Sequence, residues 1–177
     1  MRFLKVTSLV LLIAASGLSA AAQELAPPSD LANLKSMLLQ LKVNPYPPPR
    51  ERSAQLLVAL VRRMDVSTID RPTIDEIAGY LDDNSDAVRG RMAIALGNIG
   101  EPAKHTVPAL EKAFEKAKVY AAEGRNRVLP SPGTRNFSLG TSADSICFAL
   151  QRLEATIPMG CVEGRYEPPP PADGTVQ

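Results

Sequence analysis

Among the 177 residues of the chain there is one histidine, His105. A zinc site built on several histidines is therefore excluded, and any Ser-His-Asp or Cys-His arrangement has to be assembled around this single ring. His105 stands between Lys104 and Thr106 where the pattern predicts a helix start, and no Gly-x-Ser-x-Gly elbow occurs in the chain. A capping or surface histidine is the expected reading. Asp82 and Asp83, with Asp86 close behind, are the kind of carboxylate grouping that acid-base catalysis uses. They fall, however, in a turn between two helical patterns, where acids cap free backbone N–H groups and a nearby Arg89 can bridge them. Gly97 and Gly100 have no lysine and no strand beside them, so they are a close helix approach and a helix stop, not a phosphate loop. These residues predict no catalytic group, no metal and no cofactor.

Cys147 and Cys161 are an even pair, with Pro158 and Gly160 between them. Lacking Cys-x-x-Cys spacing, they are not a redox motif. A structural disulfide is expected in an oxidising compartment, with a pair of buried thiols as the alternative. Arginines gather in one other place: Arg125, Arg127 and Arg135 stand in a stretch with no acid between Glu123 and Asp144, alongside Phe137, Pro130, Pro132 and Gly133. An inserted loop over 123–141 is longer than compact domains usually tolerate without a use. Its arginines and Phe137 suit docking to another protein or to an anionic envelope polymer; a solvated variable loop is the alternative.

Composition bounds what these residues can be part of. Twenty Lys and Arg against 19 Asp and Glu leave a formal charge of +1, and aromatic residues are 5% of the chain with no Trp. Neither a basic face nor a stacking platform for nucleic acid follows from such numbers. The amino terminus reads as a signal peptide over residues 1–22: Arg2 and Lys5, then an apolar run from Val6 to Ala15, then Ala20, Ala21 and Ala22 as a cleavage site before Gln23. The run is too short to span a bilayer, so a periplasmic or secreted protein without a membrane span is expected. Residues 23–29 follow as a flexible start, and 166–177, with four consecutive prolines from Pro168, as an extended tail.

Residues 30–165, with the inserted loop over 123–141 set apart, read as a helical repeat domain. Leu31, Leu34, Leu38 and Leu41 share one face of a first helix capped by Asp30 and ended by Tyr46 and the prolines Pro47 to Pro49. A second helix is predicted from Arg50 to Met64, with Ala54, Leu57, Val58, Val61 and Met64 inward and Arg50, Arg52, Arg62 and Arg63 outward. Pro72 opens a third, with Ile74, Ile77 and Leu81 on its buried side; Ser85 caps a fourth that stops at Gly100. Val107, Leu110, Phe114, Ala117 and Ala121 mark a fifth, and Ser142 to Ile157 a sixth, with Ile146, Leu150 and Leu153 inward. Leu56 to Leu60 overlays Met92 to Leu96 and Ile146 to Leu150 in polarity, a weak repeat of helix pairs.

The stretch from Ile77 through Leu81, Asp82, Asp83, Asp86 and Arg89, followed by Ala93 to Gly100 and by Val107 to Leu110, resembles a HEAT-like repeat of the type first grouped with phycobilisome lyases. The resemblance implies an all-α fold, a short α-solenoid of about three helical hairpins or about six helices. It implies further that Asp82, Asp83, Asp86 and Arg89 hydrogen-bond between neighbouring units. Stacked helix pairs offer concave binding surfaces, so the expected function is an exported, non-enzymatic protein-binding scaffold, in a narrower form an inhibitor or immunity-type partner. Self-association over uncapped ends is a further expectation. An enzyme or enzyme-maturation factor related to the HEAT-like lyases is the alternative, on fold analogy alone.

Overall fold

The computed structural model describes residues 29–122 and 141–167. Among them the chain is all-α, with six helices and one two-stranded ribbon: α1 Asp30–Val43, α2 Pro47–Val61, α3 Arg71–Gly79, α4 Asp86–Ile99, α5 Val107–Ala122, α6 Ser142–Arg152, then β1 Cys161–Val162 and β2 Arg165–Tyr166.

Helix starts follow short polar side chains. Ser29, not Asp30, caps α1 by accepting from the Ala32 N–H at 3.2 Å. The Asp70 carboxylate accepts from the Thr73 N–H at 2.8 Å to open α3, and Ser85 does the same for Val88 at the head of α4. The proline run departs from expectation. Pro47, Pro48 and Pro49 do not merely end α1; they are the first turn of α2. First-turn N–H groups have no helical partner, so proline loses nothing there, and its fixed φ already matches the helix.

Packing centres on α4, which lies between α2 and α6, with α1 against α2, α3 against α4 and α5 against α6. Leu34, Leu38 and Leu41 meet Ala54, Leu57 and Val61 at one end of a continuous core; Leu110, Phe114, Ile146 and Leu150 fill the other. Ala121, expected on the buried face of α5, lies outside the described side chains. Arg50, expected outside, is largely buried: its Nε donates to the Leu41 carbonyl at 3.1 Å and its guanidinium pairs with Asp83. The most extensive packing, α4 on α6, depends on small residues. A Cβ at Gly97 would stand 3.0 Å from the Ala149 Cα, and one at Gly90 3.0 Å from the Ser145 hydroxyl.

The C-terminal end corrects two further expectations. Helix α6 stops at Arg152 instead of continuing to Ile157, because Glu154 adopts φ +55°. The Ala155 N–H then donates to the Leu150 carbonyl at 3.0 Å and the Glu154 N–H to that of Gln151 at 3.1 Å. This is a Schellman closure with a glutamate at the position glycine usually takes. The chain next folds into the ribbon, whose turn residues Glu163 and Gly164 have φ +48° and +75°, the signature of a type I′ turn. A disulfide between Cys147 and Cys161, with Cα atoms 5.5 Å apart, fastens β1 to α6. Tyr166, expected to begin a loose tail, is instead packed: its ring meets Phe114 edge-on at 5.6 Å, and its N–H donates to Asp144 at 2.9 Å.

Candidate functional site

The acidic turn is the best-connected polar region among the described residues. Asp83 takes the Arg50 guanidinium from α2 and accepts from the Ser85 N–H at 2.9 Å, so the turn is tied backwards. Ser85 also donates to Glu51 of α2 at 2.9 Å. Asp86 points forwards: its carboxylate accepts the Ser142 N–H at 3.1 Å and the Ser142 hydroxyl, both at the start of α6. Between the two, the buried Arg89 donates to the Asp83 carbonyl at 2.7 Å, the Asn84 carbonyl at 3.3 Å and the Asp86 carboxylate at 2.7 Å. Asp83, Asp86 and Arg89 therefore join α2, α4 and α6. Asp83 and Asp86 both carry contacts between helices.

His105 is engaged as well. Its Nδ1 lies 3.0 Å from the Pro102 carbonyl and its Nε2 2.7 Å from the Asp75 carboxylate of α3. Both ring nitrogens face protein acceptors, so the ring clips the 3₁₀ turn Glu101–Thr106 to α3. No group of three or more His, Cys, Asp or Glu among the described residues could hold a metal ion, and no helix there is long and apolar enough to cross a membrane.

Asp82 behaves differently from its neighbours. It is exposed and reaches across to Lys116 of α5. The Lys116 ammonium, as hydrogen-bond partner and as charge, holds the Asp82 carboxyl below its ordinary range, with smaller contributions from Lys112 and Arg89. Beneath this ion pair α3 and α5 splay apart and leave a groove of about 470 Å³. Its walls are Ala78, Gly79 and Leu81 on one side and Ala109 and Ala113 on the other, with Asp82, Lys112 and Lys116 at the mouth. The wall on α5 follows from side-chain size: Ala109 and Ala113, one turn apart on the same side of the helix, are too short to close the gap.

A second cleft of about 440 Å³ lies on the other flank of α5, between Pro108, Glu111, Lys112 and Glu115 and the residues Thr156 and Pro158. Glu111 and Glu115 thus line only the cleft away from α3, Lys116 lines only the groove, and Lys112 stands on the ridge between the two. Elsewhere, Arg91 on α4 has a buried Nη1 without a hydrogen-bond acceptor, and burial lowers its affinity for the proton, partly offset by Glu51. The groove between α3 and α5 is scarcely marked in the sequence. Its only trace there is the run of alanines and lysines at Ala109, Lys112, Ala113 and Lys116, which looks like an ordinary amphipathic face. The residues singled out for docking, Arg125, Arg127, Arg135 and Phe137, lie outside the described residues. Comparison of the chain with protein-family models, with curated proteins and with solved structures gives no match.

Proposed function

We propose that the chain is a non-enzymatic binding scaffold, exported to the periplasm or beyond the cell by its amino-terminal segment, which docks a segment of a partner protein in the groove between α3 and α5. The observation that carries this reading is the groove itself: an open cleft with an apolar floor and cationic mouth, the mix of apolar contact and a few polar anchors that recognition sites use. Chemistry finds little support in the same region, where Asp82 pairs with Lys116 and His105 with Asp75 across helices. The order in which helices pack supports a short α-solenoid of three hairpins, α1–α2, α3–α4 and α5–α6, because α2, α4 and α6 follow one another as neighbours, each backed by the helix before it; their HEAT-like character rests on the sequence resemblance alone. The disulfide suits an oxidising compartment. Blocking a secreted or envelope enzyme is the narrower form of the role.

Photo-crosslinking tests the reading. A photoreactive residue at Ala109, in the groove, is expected to trap a discrete partner from envelope extract, whereas one at Ala59, on the exposed side of α2, traps none. Equal trapping at both positions removes the groove as the docking surface.

A further inference from the structure

The groove's charge pattern says what kind of segment it takes. Lys112 and Lys116 stand one helical turn apart on the same side of α5, about 6 Å from each other along the axis. Lys112 makes no ion pair among the described residues, and Lys116 has a single carboxylate partner there, Asp82. Both members of that pair are largely in water, with side-chain exposures of 51% and 73%, so it is held weakly and is readily exchanged. Asp82 comes from the opposite wall, at the 3₁₀ turn Tyr80–Asp82 that follows α3. Its carboxylate sits where the carboxylate of an incoming segment would sit. The depressed proton affinity of Asp82, caused first by Lys116 and then by Lys112 and Arg89, reports the positive field that any such group meets. The floor below is apolar, formed by Ala78, Leu81 and Ala113, and the groove's volume of about 470 Å³ leaves space for an aliphatic side chain there; Gly79 on its rim is open, with nothing within 4 Å of an added Cβ.

Resting on the reading of the groove as a docking surface, we infer that it selects an acidic peptide segment, carboxylates on Lys112 and Lys116 and an aliphatic side chain between Ala78 and Ala113, and that Asp82 is a built-in competitor for the same lysines. The competitor sets a threshold: a neutral segment gains nothing by displacing Asp82, and an acidic one replaces one ion pair with another while adding a contact to Lys112.

The test uses the full chain and two fluorescein-labelled peptides, Gly-Glu-Leu-Glu-Gly and its Gln counterpart, with binding read by fluorescence anisotropy at low and moderate salt. The Glu probe is expected to bind more tightly than the Gln probe, with a preference that shrinks as salt rises and is lost in the Lys112→Ser/Lys116→Ser variant. Asp82→Asn is expected to tighten the Glu probe by about two- to fivefold, the range an exposed ion pair can supply, and to leave the Gln probe unchanged. All three side chains are exposed, so these variants fold as the parent does, which far-UV circular dichroism checks. No saturable binding of the Glu probe, equal binding of the two probes, or an Asp82→Asn variant that binds no tighter overturns the inference. A fourth variant separates it from the reading it rests on: Gly79→Phe fills the groove from an open position. If Gly79→Phe abolishes binding while the charge variants change nothing, the groove stands and the acidic selectivity falls. If Gly79→Phe leaves binding of the Glu probe intact, the groove itself is not the site.

Discussion

Asp86→Ala is the substitution on which the account of the helix framework depends most. The Asp86 carboxylate serves three donors: Arg89 Nη2 at 2.7 Å, the Ser142 N–H at 3.1 Å and the Ser142 hydroxyl. The Arg89 side chain is only 4% exposed, and removing one partner of a buried ion pair costs about 3–5 kcal/mol. Arg89 keeps the carbonyls of Asp83 and Asn84, which places its share at the lower end. The two bonds to Ser142 belong to the same network, so their loss does not add in full. The expected total is about 3–4 kcal/mol. With a urea dependence of about 2 kcal/mol per molar for a domain of this size, the unfolding midpoint falls by about 1.5–2 M. Urea titration followed by far-UV circular dichroism measures this, with Asp82→Ala as control, since Asp82 lies in the same turn but in water and its loss leaves the midpoint in place. Replacing Arg89 by Met in the Asp86→Ala background should recover part of the loss, because the uncompensated buried charge is gone. A shift below about 0.5 M, or an equal shift from Asp82→Ala, refutes the claim that Asp86 joins α4 to α6.

Other expectations are independent of that network. Removing the disulfide as Cys147→Ala/Cys161→Ala should lower stability by about 3 kcal/mol, the loop-closure value for about 15 residues, and release the Tyr166 ring from Phe114; an unchanged Tyr166 resonance set contradicts the latter. Glu154→Gly should raise stability by about 0.5–1 kcal/mol, since glycine adopts the left-handed conformation at the end of α6 without a Cβ penalty; a loss in thermal unfolding contradicts it. Asp70 should titrate at about 2, held down first by Lys35 and then by Thr73, and Lys35→Met should bring it back toward 3.8, as read by carboxyl NMR. Because its folded value is depressed, the contribution of Asp70 is fully present above 3.8 and fades as pH falls toward 2.

What was legible in the chain follows from how local each signal is. Ser85 and Gly100 delimit α4 because a cap and a stop act on adjacent backbone. The disulfide was legible from two cysteines and a leader-like start. The proline run after Tyr46 suits either side of a helix boundary, so its sequence alone marks an ending as readily as a start, and only packing chooses. The end of α6 is hidden in the sequence because its stop is a left-handed glutamate, and the ribbon is hidden because its turn is Glu-Gly and its strands are two residues each. The groove was least legible of all. Ala109 and Ala113 have the spacing of a buried face, and whether alanines on such a face are covered depends on the distance to a helix some 30 residues away.

The geometry at the start of α6 bears on how the molecule is put together. That helix is located at its first residue by Asp86, along its length by the glycines of α4, and beyond its end by the seat of Tyr166 on Phe114. None of these anchors runs through the chain that links α5 to α6, and the disulfide lies wholly on the C-terminal side of that link. Among the described residues, therefore, α6 is held from both ends and along its length by side chains that lie outside its own segment or are stapled to it, so its place in the fold is set by tertiary contact more than by its position in the chain.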